Sequence, residues 1–393
     1  MSTLRLSRRL ASLPEFMTAE LARLATEERA RGRRVIALGI GDPDLPPSPE
    51  HRRILAEHVV EDDVSRYPTN AGSEELRVAI AAFYQRRFGV ALDPERQILP
   101  LLGAKEGIAH LCLAALDPGE IMLVPDPGYP VYASGPRLAG ADSYGLELAA
   151  RNDYLPDFSG IPAAVLRRSR LLVVGYPNNP TGAVAHTDTF ERLVDFARRT
   201  GVIVCHDNAY SELTFDGFVA PSFLAADGAC EVGVEVFSMS KAFSLPGWRV
   251  AFMVGNAQVI AGLRHLKGHV DAGMFLALQR ATAKILDSYD AQRSPFASVY
   301  ERRRDLVHEA LSVAGAEISR SKGGMFMWCR APAGIGGDAF AKELLRSAGV
   351  LVVPGRALGK FSSDFVRISL AVKDETLAEG VSAIAATVRH LLS

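Results

Sequence analysis

Lys241 sits in Ser238-Met-Ser-Lys-Ala-Phe-Ser-Leu-Pro-Gly-Trp-Arg249, directly after the predicted strand 234–237. A lysine there is out of place as a core residue. When its surroundings lower its pKa, a lysine can form a Schiff base with a carbonyl compound. Ser238, Ser240 and Arg249 are suited to holding a dianionic phosphate beside it. A second segment, His206-Asp-Asn-Ala-Tyr210, ends an apolar run. A buried carboxylate is costly unless it is paired, and a protonated ring nitrogen would suit Asp207. Alternation along a strand points His206 to the opposite face, so His206 is read as structural.

Three further segments have the same character. Leu102-Gly-Ala-Lys-Glu-Gly107 lies between a strand and a helix, where exposed N–H groups favour a phosphate. An ordinary strand–helix turn would look alike, and the segment matches neither a Walker A loop nor a dinucleotide fingerprint. Asp126-Pro-Gly-Tyr-Pro130 offers the ring of Tyr129 on a stiff turn, either to stack on a flat heterocycle or to pack as a surface turn. In Tyr176-Pro-Asn-Asn-Pro-Thr-Gly182 the prolines and glycine fix the backbone, and the Asn179 amide can donate to an oxygen.

Four of these five segments follow predicted strands, and open α/β sheets bind ligands beyond the carboxyl ends of their strands. Short, mostly apolar runs at 97–102, 121–124, 171–175, 202–205, 234–237 and 249–254 predict strands. Helices are expected over 105–116, over 187–199 and from the last strand to about 268. This pattern predicts a three-layer α/β/α domain with a mostly parallel sheet. Past residue 286 a charged helix through 300–305 and strands at 325–329 and 365–370 read as a smaller α+β domain. The N-terminal part, with a helix over 16–31 and a strand at 35–38, is expected to join it. The expected divisions are 1–47, an arm of the small domain; 48–285, the large domain; and 286–393, the small domain.

Composition narrows the function. A formal charge of −1 gives no reason to expect nucleic acid or an anionic membrane as partner, and 48% apolar with 23% charged residues is a globular balance. No apolar run approaches the roughly 18–20 residues of a membrane helix. The basic stretch 1–11 is followed by no apolar segment, so a signal peptide is not expected. Cys112, Cys205, Cys230 and Cys329 show no metal or disulfide spacing, so no metal is expected and a cytoplasmic setting fits.

Taken together, the segments resemble the fold-type I pyridoxal 5′-phosphate (PLP) enzymes, specifically the class I/II aminotransferases, from about residue 39 to 370. The carrying motifs are Ser-x-Ser-Lys with Arg eight residues after the Lys, Asn-Pro-Thr-Gly, and Asp-x-x-Tyr. The wording is closest to the LL-diaminopimelate aminotransferase-like branch. The resemblance implies PLP as cofactor, with Lys241 as its Schiff-base lysine and proton carrier. It implies that Asp207 pairs with the ring nitrogen and that Tyr210 and Asn179 contact the ring's phenolic oxygen, with Tyr129 stacked on the ring. The phosphate would be held by the N–H groups of Ala104 and Lys105, by Ser238, Ser240 and Arg249, and by Tyr67 of a neighbouring subunit in a homodimer. Arg367 would grip the substrate carboxylate, assisted by Gly41 and Asn179.

One stretch departs from the branch. After the lysine it usually reads Thr-Tyr/Phe-Asn-Met-Thr-Gly-Trp-Arg; here it is Ala242-Phe-Ser-Leu-Pro-Gly-Trp-Arg249. The expected reaction is amino transfer between an L-amino acid and a 2-oxo acid. The alternative, motivated by the altered stretch, is a PLP enzyme that diverts the α-carbanion to β- or γ-elimination, replacement or carbon–carbon bond formation.

Overall fold

Runs of β-branched and aliphatic residues form short strands, because their side chains pack well on a pleated surface. In the computed structural model, which describes residues 6–13, 17–289 and 296–393, with backbone alone for 17–21, the strands are as follows. In chain order they are β1 (Ile36–Ala37), β2 (Ile98–Leu101), β3 (Ile121–Asp126), β4 (Asp142–Glu147), β5 (Ser169–Val174) and β6 (Ile203–Asn208). They continue as β7 (Gly233–Ser238), β8 (Ala251–Gly255), β9 (Phe326–Arg330), β10 (Val350–Leu351), β11 (Val353–Pro354) and β12 (Phe365–Ser369). Residues 1–5 of the basic N-terminal stretch, and Phe16 at the expected start of the first long helix, lie outside the described residues.

Seven strands form one sheet in the order β2-β8-β7-β6-β5-β3-β4. β8 runs antiparallel to both neighbours, and the other pairs are parallel. Both faces are apolar. Leu172, Val174, Val204, Phe237 and Phe252 point into one core, while their neighbours Leu171, Val173, Cys205, Val236 and Ala251 point into another. Helices Glu74–Phe88, Thr187–Thr200 and Leu276–Asp287 cover the first face, and Ala104–Ala115 and Ala257–Val270 cover the second. These helices carry local signals. Glu74–Phe88 starts where the Ser73 hydroxyl accepts from the Leu76 N–H at 3.3 Å, and it stops at Gly89 in the left-handed region, φ 70°. The sheet is thus the three-layer α/β/α architecture that the sequence predicts, with two differences. The sequence pattern does not reveal β4, an edge strand in which Leu146 alone is buried. The last strand begins at Ala251 rather than at 249, because Arg249 takes a left-handed conformation, φ 56°.

A second core gathers β9, β12 and helices Ala297–Val313, Gly337–Ala348 and Asp374–Leu392. β11, β12 and β9 form an antiparallel sheet. The N-terminal segment enters this core through Ile36 and Leu38, and β1 pairs in parallel with β10. Leu38 O then accepts from the Ser369 N–H at 2.7 Å, which delivers residues 39–45 to the boundary between the two cores. Among the described residues, no helix is long and apolar enough to cross a membrane.

Candidate active site

The carboxyl ends of β3, β5, β6 and β7 open onto one cavity of about 550 Å³. The turns that follow them supply Tyr129, Asn179, Tyr210 and Lys241, and β6 itself supplies Asp207. The segment 39–42, Phe326 and Arg367 close it from the side of the second core.

Lys241 follows β7 in the short helix Met239–Ala242. Its Nζ donates to Gly41 O at 3.0 Å. Burial lowers its pKa to about 8; the Asp42 carboxylate opposes that shift, and Arg249 and Arg367 add to it. About one-tenth of this amine is then neutral at pH 7, far more than for an ordinary lysine, and the neutral form is a nucleophile and a base. Gly41 is required by close approach, since a Cβ there would come within 2.4 Å of Phe326 Cζ.

Asp207 is buried at the end of β6. Its Oδ2 accepts from the Tyr132 hydroxyl at 2.8 Å, whereas Oδ1 is buried with no partner. Burial raises the pKa to about 6, against the Tyr132 hydrogen bond and His206, which lower it. An orphaned carboxylate oxygen in a closed cavity calls for a cationic donor, and the protonated ring nitrogen of PLP is one. His206 faces the other way. Its Nδ1 bonds Glu235 Oε2 at 2.7 Å on the underside of the sheet.

The opposite end of the cavity is cationic. Helix Ala104–Ala115 begins at Gly103 without a capping side chain, so its first amides have no side-chain acceptor. Gly103, φ +108°, lies against Arg249: a Cβ there would meet Nη2 at 2.2 Å. The Arg249 guanidinium donates from Nη1 to Pro246 O at 2.7 Å. Lys105 Nζ lies 5.7 Å from the centre of the Tyr129 ring, its pKa lowered by burial and by Arg249. Ser238 and Ser240 line the same end, with the Ser240 N–H donating to Ser238 Oγ at 3.3 Å. Uncapped amides, hydroxyls and two cations suit a phosphate dianion.

On the third side, Arg367 rises from β12 and is buried. Nη1 donates to Asn179 Oδ1 at 3.0 Å and Nη2 to Gly39 O at 2.9 Å, while Nε is buried without a partner. Its Cζ stands 4.1 Å from the centre of the Phe326 ring. Burial lowers its pKa to about 10, so it stays charged at neutral pH. It is a carboxylate receptor held by its neighbours. Burial also raises Tyr129, to about 12, and pushes Tyr210 up further, so both phenols remain protonated donors.

Twelve of the thirteen residues singled out from the sequence therefore line one cavity; Tyr67 does not, and is 91% exposed. Two polar residues escape sequence reading. Tyr132, which holds Asp207, is an ordinary aromatic at an amphipathic helix start and carries no distinguishing signal. Glu235 does have one: it is a lone acid inside a fully buried strand. It accepts from Tyr84, Ser222, Asn208, His206 and the Phe223 N–H, at 2.7 to 3.0 Å.

A Schiff-base type lysine, a buried carboxylate and an anion cup at the carboxyl edge of such a sheet define an enzyme that works on the amino group of small molecules. The family model for aminotransferase class I and II matches residues 33–384, and the chain belongs to this family. It is an aminotransferase, of a family that is generally PLP-dependent. LL-diaminopimelate aminotransferase of Dehalococcoides mccartyi (strain 195) is 44% identical over 385 residues, 97% of this chain and 98% of the relative. The protein of that name from Moorella thermoacetica is 44% identical over 378 residues, 95% and 96%. Substrate-bound BacF from Bacillus subtilis superimposes with a TM-score of 0.93 at 35% identity, covering 98% of each chain. A probable N-succinyldiaminopimelate aminotransferase from Thermus thermophilus gives 0.89 at 34% identity, over 94% of this chain and 100% of the other. These relatives favour amino transfer over elimination, replacement or carbon–carbon bond formation.

Proposed function

We propose that this aminotransferase holds PLP through Lys241 and moves the amino group of LL-diaminopimelate, or an amino acid of related shape, to 2-oxoglutarate or pyruvate. One observation carries the reading: the buried Lys241 amine and the orphaned Asp207 Oδ1 face the same cavity, between an uncapped helix start and Arg367. PLP, when bound, supplies a sink for negative charge developing at the substrate α-carbon. Asp207 Oδ1 holds a proton on the ring nitrogen, while Tyr132 keeps Oδ2 occupied. Tyr210 and Asn179 contact the phenolic oxygen and Tyr129 stacks on the ring. The first amides of Ala104 and Lys105, with Ser238, Ser240 and Arg249, bind the phosphate. Arg367 fixes the substrate carboxylate and so orients the α-hydrogen. Lys241 Nζ would hold the cofactor, and as a free amine it would take the proton from the substrate α-carbon.

Tyr67, in Arg66-Tyr-Pro-Thr-Asn-Ala-Gly72, is assigned to the phosphate of a neighbouring copy, which makes the working form a homodimer. Its exposure in the single chain supports this.

The test is spectroscopic. Protein with PLP absorbs at about 360–430 nm, borohydride fixes the label on Lys241, and LL-diaminopimelate without acceptor moves the band to about 330 nm. Lys241→Ala shows neither the label nor the exchange of the substrate α-proton. Protein that stays colourless with PLP, or label on another residue, refutes the reading.

A further inference from the structure

Two acidic side chains line the cavity, Asp207 and Asp42. The first has Tyr132 on one oxygen and a cationic partner implied for the other. Asp42 is exposed at the cavity mouth and has no hydrogen bond or ion pair among the described residues. Yet the segment that carries it is pinned on both sides. Gly39 O accepts from Arg367 and Gly41 O from Lys241. Arg303 grips both oxygens of Asp44 at 2.8 and 2.9 Å, and the Ser244 hydroxyl donates to Leu45 O. Asp42 therefore cannot swing away with its backbone; the carboxylate stays at the mouth, near enough to Lys241 to favour the charged amine.

Every other charge lining the cavity is matched by the reading above. Lys105 and Arg249 face a phosphate, Arg367 a carboxylate, Asp207 a ring nitrogen, and Lys241 the carbonyl carbon. Asp42 is the lining charge for which that reading supplies no counterpart. Ile40, Pro246 and Gly247, which also line the cavity, offer no side-chain acceptor. Pro246 stands in the stretch that departs from the branch, where the usual residue is a threonine.

We infer that Asp42 is a specificity-determining residue that recognises an ammonium group on the side chain of the amino donor, beyond the α-carbon. The inference rests on the aminotransferase reading and deepens it by naming the donor class. A charge-assisted hydrogen bond to Asp42 forms with the ammonium, and none of Ile40, Pro246 and Gly247 replaces it.

The test compares donors that differ by one amine: LL-diaminopimelate against L-2-aminopimelate, and L-lysine against L-norleucine, with 2-oxoglutarate and holoenzyme. The quantity is the ratio of kcat/KM with the distal ammonium to that without. Asp42→Asn is expected to lower the ratio about tenfold or more, Asp42→Glu to restore most of it, and Asp42→Lys to bring it below one. A ratio that Asp42→Asn leaves unchanged, even if all rates fall together, overturns the inference: Asp42 would then act only through Lys241. Wild-type enzyme that converts the donors lacking the amine and rejects those bearing it overturns it too, while leaving the aminotransferase reading intact. No conversion of any donor would sink both.

Discussion

Replacing Tyr132 with phenylalanine removes one hydroxyl from a fully buried site and takes from Asp207 Oδ2 its one hydrogen bond, 2.8 Å long. A hydrogen bond to a charged group contributes about 1.5–3 kcal/mol, and one pKa unit corresponds to about 1.4 kcal/mol. Asp207 begins at about 6 because burial penalises its anion. Losing the hydroxyl should raise it by about one to two units. At pH 7 the ionised fraction then falls from about nine-tenths to between one-half and one-tenth. Only the anion can hold a proton on the ring nitrogen. PLP affinity at pH 7 should therefore weaken about two- to tenfold, and the loss should fade by pH 9, where both proteins are ionised. Titrating apoprotein with PLP from pH 6 to 9 and taking the variant-to-wild-type ratio of Kd cancels the contribution of Lys241, which both share. A ratio that does not change with pH would refute the argument, as would unaltered affinity at pH 7.

Three other perturbations have defined outcomes. Gly103→Ala strains a left-handed backbone, φ +108°, and drives a Cβ into Arg249 Nη2; PLP affinity should drop about tenfold, and titration of free pyridoxal, which lacks the phosphate, should show a much smaller change. Glu235→Gln puts an amide where a carboxylate serves five buried donors; unfolding by urea should reveal a loss of about 3 kcal/mol, with the pH dependence of PLP binding moved far less than by Tyr132→Phe. Arg303→Met frees Asp44 and Asp374, half-exposed on the latter side; thermal unfolding should register about 2 kcal/mol of destabilisation, and KM for the amino donor should rise several-fold as the segment 39–45 loosens.

The chemistry of the site was legible where physics forces an unusual residue. Lys241 and Asp207 are charges at the ends of apolar strands, and such positions need a reason. Arg367 is a buried cation in a strand of the second core, and it was reached through the family resemblance alone. β4 was not legible, because an edge strand with one buried side chain has no apolar run to betray it. The direction of β8 was hidden as well, since both strand directions bury the same residues. Tyr132 stayed invisible for a different reason: its role lies in a contact across 75 positions of sequence, and its residue type is ordinary for a helix start. The left-handed Arg249 could not be read either, since an arginine carries no sequence signal for a positive φ.

Alternation along β6 divides labour between two adjacent residues. Asp207 points up into the cavity, and His206 points down to Glu235 on β7. From below, His206 Nε2 also lies 3.2 Å from Tyr176 O, at the start of the turn that delivers Asn179. The buried underside thus ties together the strand ends that present Asn179, Asp207 and Lys241. Those ties lie beneath the sheet, and what reaches Asp207 from them is the charge of His206, which lowers its pKa. Changing them should move stability more than the titration of Asp207, on which His206 acts only as the smallest of three causes, whereas changing Tyr132, on the upper side, should move chiefly the titration. Glu235→Gln and Tyr132→Phe therefore form a matched pair. If both shift the pH dependence of PLP binding alike, the sheet does not insulate its two faces, and the separation of scaffold from chemistry argued here is wrong.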